Sequence, residues 1–199
     1  MEFTHTRTVK VVALLLLLTA LTQAVYTALY LNAPEIERKI IWGLEGVIFP
    51  LLAGFAGAAL ATDRRYALVF SAIAFSAVFN LIQVGIGLTQ FGPFGGAASG
   101  GAEFGAIAGG VFGLSFFVYN AAKVLLGLAA LICGMTRMND GAKALGGLTA
   151  LVGTVALATN ALVIILDMSG TTLSRVAGGS GVVTAILLAL CLFSLKSDD

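Results

Sequence analysis

Lys123 and Glu45 lie deep inside long apolar stretches, where an ionisable side chain is costly and calls for a partner or a task. Amides accompany them at helical spacing: Asn80 with Gln83, Asn120 with Lys123, and Asn160 with Asp167 further along the same face. A lysine or amide facing hydrocarbon would cost on the order of 2.5 to 3.5 kcal/mol for a charge at the helix centre, so these faces are expected to turn towards one another. An amine and a carboxylate brought together in low dielectric either pair or exchange a proton to become neutral, and a direct Glu45 to Lys123 interaction is the simplest expectation. That chemistry suits binding of a polar ligand, above all one bearing an acidic group that meets Lys123.

Counting helical rise from the ends of the apolar stretches places Gln23, Glu45, Asn80, Asn120, Lys123 and Asn160 at similar depth, with Asp167 nearer the surface. Thr19, Gln23, Tyr26 and Tyr30 form one stripe by the i, i+4, i+7 rule and lend the cluster an aromatic flank. The candidate ligand-binding set is therefore Gln23, Tyr26, Glu45, Asn80, Gln83, Asn120, Lys123 and Asn160. The competing reading is structural: a buried tie between two helices, with the amides as interhelical glue worth about 0.6 kcal/mol per contact.

Other chemistries find little support. The sole histidine, His5, lies in the polar N-terminal tail, so imidazole ligation of haem or copper at depth is excluded. Cys133 and Cys191 show neither a CxxC spacing nor a neighbouring histidine, so neither a structural disulfide nor a zinc site is expected, and no cofactor or metal is implied. There is no Walker sequence and no GxSxG elbow. A net charge of +1 with scattered cations leaves no basic patch for nucleic acid.

The elements that must position these residues are membrane helices. Of 199 residues, 59% are hydrophobic and 11% charged, against about 25% charged in soluble domains. The mean hydropathy is +1.02. A span needs about 20 apolar residues, and six runs qualify, near 10–31, 40–62, 66–88, 107–135, 143–167 and 174–195. The expected fold is an all-α polytopic bundle of six transmembrane helices in one membrane domain over 1–199. Arg7, Lys10, Arg64, Arg65, Arg137, Lys143 and Lys196 fall on one side, against Arg38, Lys39 and Arg175 on the other. By the positive-inside rule both termini are cytoplasmic, with the inner membrane of a bacterium as the expected site. The first run has a rival reading as a signal peptide cut near Thr22-Gln23-Ala24, but its apolar character continues through Tyr26 to Leu31, which favours an anchor.

Residues 89–106 form a nearly uncharged connection rich in glycine and phenylalanine, expected as an interfacial loop, with a re-entrant segment as the alternative. Glycines at 101, 105, 109 and 113, and Ala53, Gly57 and Ala61, offer small-residue faces for close helix packing and point to a central fourth helix. Pro50 should bend the second helix. Val78–Leu88 aligns with Val118–Leu128 at five of eleven positions, with Phe79 opposite Tyr119. Adjacent spans run in opposite directions, so the match suggests a pseudo-twofold pair of the kind that frames substrate sites in inverted-repeat transporters.

These readings favour a small transporter, channel or ligand-binding component with a polar site in the outer half of the bundle. The alternative is a non-catalytic subunit of a larger membrane complex; an intramembrane enzyme using Glu45 or Lys123 ranks third. Expected partners are membrane lipids, a small polar or amphiphilic ligand, and either further copies of the chain or partner membrane subunits.

Overall fold

In the computed structural model, which describes residues 4–33, 37–166 and 172–195, the apolar runs become α1 (His5–Asn32), α2 (Lys39–Thr62), α3 (Ala67–Ala97), α4 (Ala102–Asn139), α5 (Lys143–Leu166) and α6 (Thr172–Phe193). All six are long and apolar enough to cross a membrane. The chain is thus an all-helical bundle with the makings of an integral membrane protein. Asp167 and Lys196, which carried sequence expectations, lie outside the described residues.

The packing order is legible from which helices touch. Helices α1, α2, α3, α4 and α6 form a closed ring of neighbours, and α5 lies outside it, packed on α4 and α6 alone among the described elements. Leu16, Phe49, Phe70, Ile73 and Leu188 are fully buried and fill the ring. Large apolar residues such as Leu51, Phe75, Phe117, Leu151 and Ile165 point outwards, as expected where the solvent is lipid.

The two ends of the bundle differ in chemistry. At the charged end, His5 Nε2 lies 3.2 Å from the Asp63 carboxylate and His5 Nδ1 lies 2.9 Å from Thr62 Oγ1, joining the start of α1 to the end of α2. Asp63 accepts backbone N–H bonds from Arg65 and Tyr66 at 2.9 and 3.0 Å, which shapes the turn into α3. Arg65 donates to Asp140, Tyr66 donates to the same carboxylate at 3.3 Å, and Arg137 donates to the Ser194 carbonyl and hydroxyl at 3.0 Å each. The ends of α4 and α6 and the start of α3 are thereby cross-tied. The Arg65 hydrogen bond, reinforced by its charge, holds the Asp140 carboxyl below the usual carboxylate range.

At the opposite, aromatic end, Tyr30 stacks on Tyr26, Tyr26 on Trp42, Trp42 meets Phe91 edge-on, and Phe91 meets Phe112 with centroids 4.7 Å apart. The Arg38 guanidinium lies 5.5 and 5.3 Å from the Tyr26 and Tyr30 ring centroids. This layer spans α1, α2, α3 and α4.

The connection expected at 89–106 is mostly helix. Helix α3 runs on to Ala97 through Pro93, a single 3₁₀ turn covers 98–100, and α4 starts at Ala102. Phe91 explains the extension, because its seat between Trp42 and Phe112 rewards helical geometry where glycine propensity alone would not. The reversal falls on Gly101, whose φ of +148° lies in a region that side chains avoid. At 38 residues α4 is roughly 57 Å long, well beyond a hydrocarbon core of about 30 Å.

The small-residue expectation also shifts. Helix α4 does pack against α3, α5 and α6, but the close approach uses other glycines. A Cβ on Gly134 would lie 2.5 Å from both the Gly146 carbonyl oxygen and the Ala150 nitrogen, and one on Gly127 would lie 2.8 Å from the Gly153 oxygen. Gly146 and Gly153 are equally tight against α4. By contrast, Gly105, Gly109 and Gly113 face open space, as does Gly57. Pro50 sits exposed within an α2 that continues on both sides of it.

Candidate functional site

Lys123 projects from the middle of α4 into the ring and is 1% exposed. Its amine donates to Gln23 Oε1 of α1 at 2.6 Å and lies 4.9 Å from the centroid of the Tyr119 ring, one turn earlier on α4. The lysine stem lies against α6 at Gly181, where a Cβ would approach Lys123 Cδ to 2.9 Å. The Tyr119 hydroxyl faces Gly178 of the same helix in the same way, at 3.7 Å. Two glycines of α6 thus make room for the two polar side chains of α4.

Glu45 of α2 is also buried, and its carboxylate accepts from the Thr22 hydroxyl of α1 at 2.9 Å. Thr22 and Gln23 are neighbours in sequence, so one turn of α1 holds both ionisable groups. The expected Glu45 to Lys123 ion pair is not formed among the described residues; the amine takes Gln23 and the carboxylate takes Thr22. Neither α1 nor α2 packs directly on α4, so the amine is met across the ring by a long side chain, that of Gln23, while the Glu45 carboxylate is taken by Thr22 of the adjacent α1.

The aromatic layer roofs this cluster. Tyr26 lies one turn beyond Gln23 on α1, Trp42 one turn before Glu45 on α2, and their rings stack with centroids 5.6 Å apart. Gly87 of α3 leaves space for the indole, since a Cβ there would come within 3.1 Å of it. On the other side of the cluster, Thr19 of α1 and Thr184 of α6 are buried hydroxyls whose oxygens have no hydrogen-bond partner among the described residues.

The remaining candidates face inwards but stand apart. Asn80 donates to the Ser76 carbonyl at 2.9 Å, and Ser76 in turn donates to the Ala122 carbonyl of α4 at 2.8 Å. Asn120 donates to the Phe116 carbonyl at 2.7 Å, and Gln83 reaches Ser115 at 3.5 Å. Asn160, fully buried, donates to the Ala156 carbonyl and across to Ala177 of α6. None of these amides bonds Lys123 or Glu45 among the described residues; they line the α3/α4 and α5/α6 seams. The structure therefore brings together Gln23, Tyr26, Glu45 and Lys123, and adds Thr22, Tyr119, Gly178 and Gly181, which the sequence argument did not single out. Tyr119 was within reach of it, standing four residues before Lys123 and inside the internal match.

Compared with protein-family models, curated proteins and solved structures, the chain matches none. Function therefore rests on the geometry alone. A pocket of about 30 Å³ lies at the charged end, lined by His5, Thr6, Val9, Lys10, Leu192 and Leu195. It contains none of the cluster residues, and the buried cluster carries the stronger chemistry. Among the described residues no group of three or more histidine, cysteine, aspartate or glutamate side chains could hold a metal ion.

Proposed function

We propose that the chain is a small multi-pass membrane transporter or ligand-binding component whose site is the cluster of Lys123, Gln23, Glu45, Thr22 and Tyr119. One observation carries this reading. Lys123 is almost fully buried, yet its hydrogen-bond partner is the neutral amide of Gln23. A lysine serving only to tie helices gains most from a carboxylate, since a charge buried beside a neutral group recovers little of its desolvation cost. An amine held by an amide keeps its capacity for an anion. A small polar or amphiphilic ligand with an acidic group would displace Gln23 from Lys123, and Glu45 would set the charge the cluster tolerates.

In the conformation described the site is closed, with the stacked Tyr26 and Trp42 rings above it. Entry then requires those rings to part. We further propose that the charged end faces the cytoplasm of a bacterium, with both termini on that side, because the basic residues Arg7, Lys10, Arg64, Arg65, Arg137 and Lys143 favour that face.

A second reading, a non-catalytic subunit of a larger complex, is favoured by the open glycine face of α4 at Gly105, Gly109 and Gly113, which presents close-packing residues with nothing against them. One experiment separates the two. Small molecules retained by the purified protein are identified by mass spectrometry, comparing wild type with Lys123→Met after both are shown to fold. A compound kept by wild type and lost from the variant supports the binding site. Nothing retained by either, with a membrane protein co-purifying, supports the subunit reading.

A further inference from the structure

Near the charged end, away from the Lys123 cluster, α4 and α6 each bring a cysteine to their shared seam. Cys133 and Cys191 are both fully buried and both free. Both belong to one buried cluster with Ala130 of α4 and Leu188 and Leu192 of α6. Register accounts for the pairing. Arg137, one turn beyond Cys133, donates to both the carbonyl and the hydroxyl of Ser194, one turn beyond Cys191, so the same cross-tie holds the two cysteines opposite each other. A third helix contributes as well: Thr149 Oγ1 of α5 lies 3.2 Å from Cys191 Sγ. The Thr149 proton is otherwise donated to the Leu145 carbonyl at 2.7 Å, and rotation of the hydroxyl can turn it onto a Cys191 thiolate.

We propose that Cys133 and Cys191 form a redox-active dithiol that closes to an intramolecular disulfide on reaction with a small neutral peroxide. The Cys191 thiolate attacks one peroxide oxygen, the O–O bond breaks, and hydroxide leaves and takes up the thiol proton to become water. Cys191 is then a sulfenic acid. The Cys133 sulfur attacks the Cys191 sulfur, the S–O bond breaks, and the departing oxygen takes the Cys133 proton to form a second water. The two sulfurs together lose two electrons and the peroxide gains them. Hydrogen peroxide suits a buried pair, being close to water in size and uncharged. A thiol reductant reverses the step by disulfide exchange. The bridge would tie together the same two helices that hold Lys123 against Gly181.

The test uses the wild-type protein in detergent. It is exposed to hydrogen peroxide, quenched, denatured with N-ethylmaleimide and weighed intact. The expected product is lighter than the starting protein by two hydrogens, takes up no maleimide, and recovers both alkylatable thiols after dithiothreitol. Cys133→Ser, which has no resolving sulfur, should stop at the sulfenic acid, trapped by dimedone on Cys191. Thr149→Val should slow closure several-fold. Two thiols still alkylatable under peroxide that fully oxidises a reference dithiol, or a bridge found only between two copies on a non-reducing gel, would overturn the proposal.

Discussion

Lys123 poses the sharpest question at the scale of single residues, because burying an amine costs several kcal/mol before any partner is counted. Its inward placement is legible in the sequence, since a charge flanked by apolar residues must avoid lipid. Its partner is not: whether the amine meets Gln23 or Glu45 depends on how α1 and α2 rotate about their axes, and residue spacing along one chain leaves that free. Replacing the charge by an apolar side chain of similar length should leave stability unchanged or raise it by about 1 to 2 kcal/mol, less the cost of stranding the Gln23 amide. Thermal unfolding of Lys123→Met in detergent measures this, and a large loss of stability would mark the lysine as a structural tie. Gly181→Val, which places branched carbons where the lysine stem runs, should displace the amine from Gln23 and lower ligand retention alongside a modest drop in melting temperature. Asp140 makes a prediction with a sign. Its carboxyl is held below the ordinary value by Arg65, so its contribution to stability is present above about pH 4 and lost as pH falls through the depressed value. Asp140→Asn should melt lower than wild type at neutral pH, and the difference between the two should shrink on acidification below pH ~4.

Among the elements, the α4/α5 pair has the tightest fit. Gly127 and Gly134 on one helix, and Gly146 and Gly153 on the other, repeat at seven-residue spacing and meet in antiparallel register. Membrane helices gain contact this way because lipid supplies no hydrophobic drive for their association. Adding a methyl at Gly134, 2.5 Å from facing backbone atoms, should destabilise by about 1 to 3 kcal/mol, whereas Gly109→Ala, facing open space, should fall within about 0.5 kcal/mol of wild type. Melting temperatures of the two variants side by side check the contrast. The sequence carried this pattern as plainly as the more regular glycines from 101 to 113, but a stripe of small residues says only that close approach is permitted. Which stripe is used depends on the neighbour. The extension of α3 through residues 89–97 was hidden for a similar reason: glycine and Pro93 read locally as a loop, and the ring contacts of Phe91 that favour helix come from α2 and α4.

At the scale of the whole molecule, six apolar helices follow directly from composition and hydropathy, because a run of about 20 apolar residues has few other uses. The closed ring of α1, α2, α3, α4 and α6 does not follow, since loops of similar length permit many arrangements. The ring explains why only part of the candidate set converges: α5 lies outside it, which keeps Asn160 on the α5/α6 seam and away from Lys123. It also explains how the site would work, with an aromatic layer closing one end and ion pairs and hydrogen bonds closing the other. The most direct test of this account is the water accessibility of the cluster in intact membranes. Thr19→Cys, in a background with Cys133 and Cys191 changed to serine, introduces a thiol at a position that is 3% exposed, has no hydrogen bond to lose and lies one turn from Gln23. A site that opens predicts steady modification of this thiol by a charged, water-soluble methanethiosulfonate reagent applied to folded protein. A thiol that reacts only after denaturation would contradict the account and leave Lys123 as part of a permanently sealed interior.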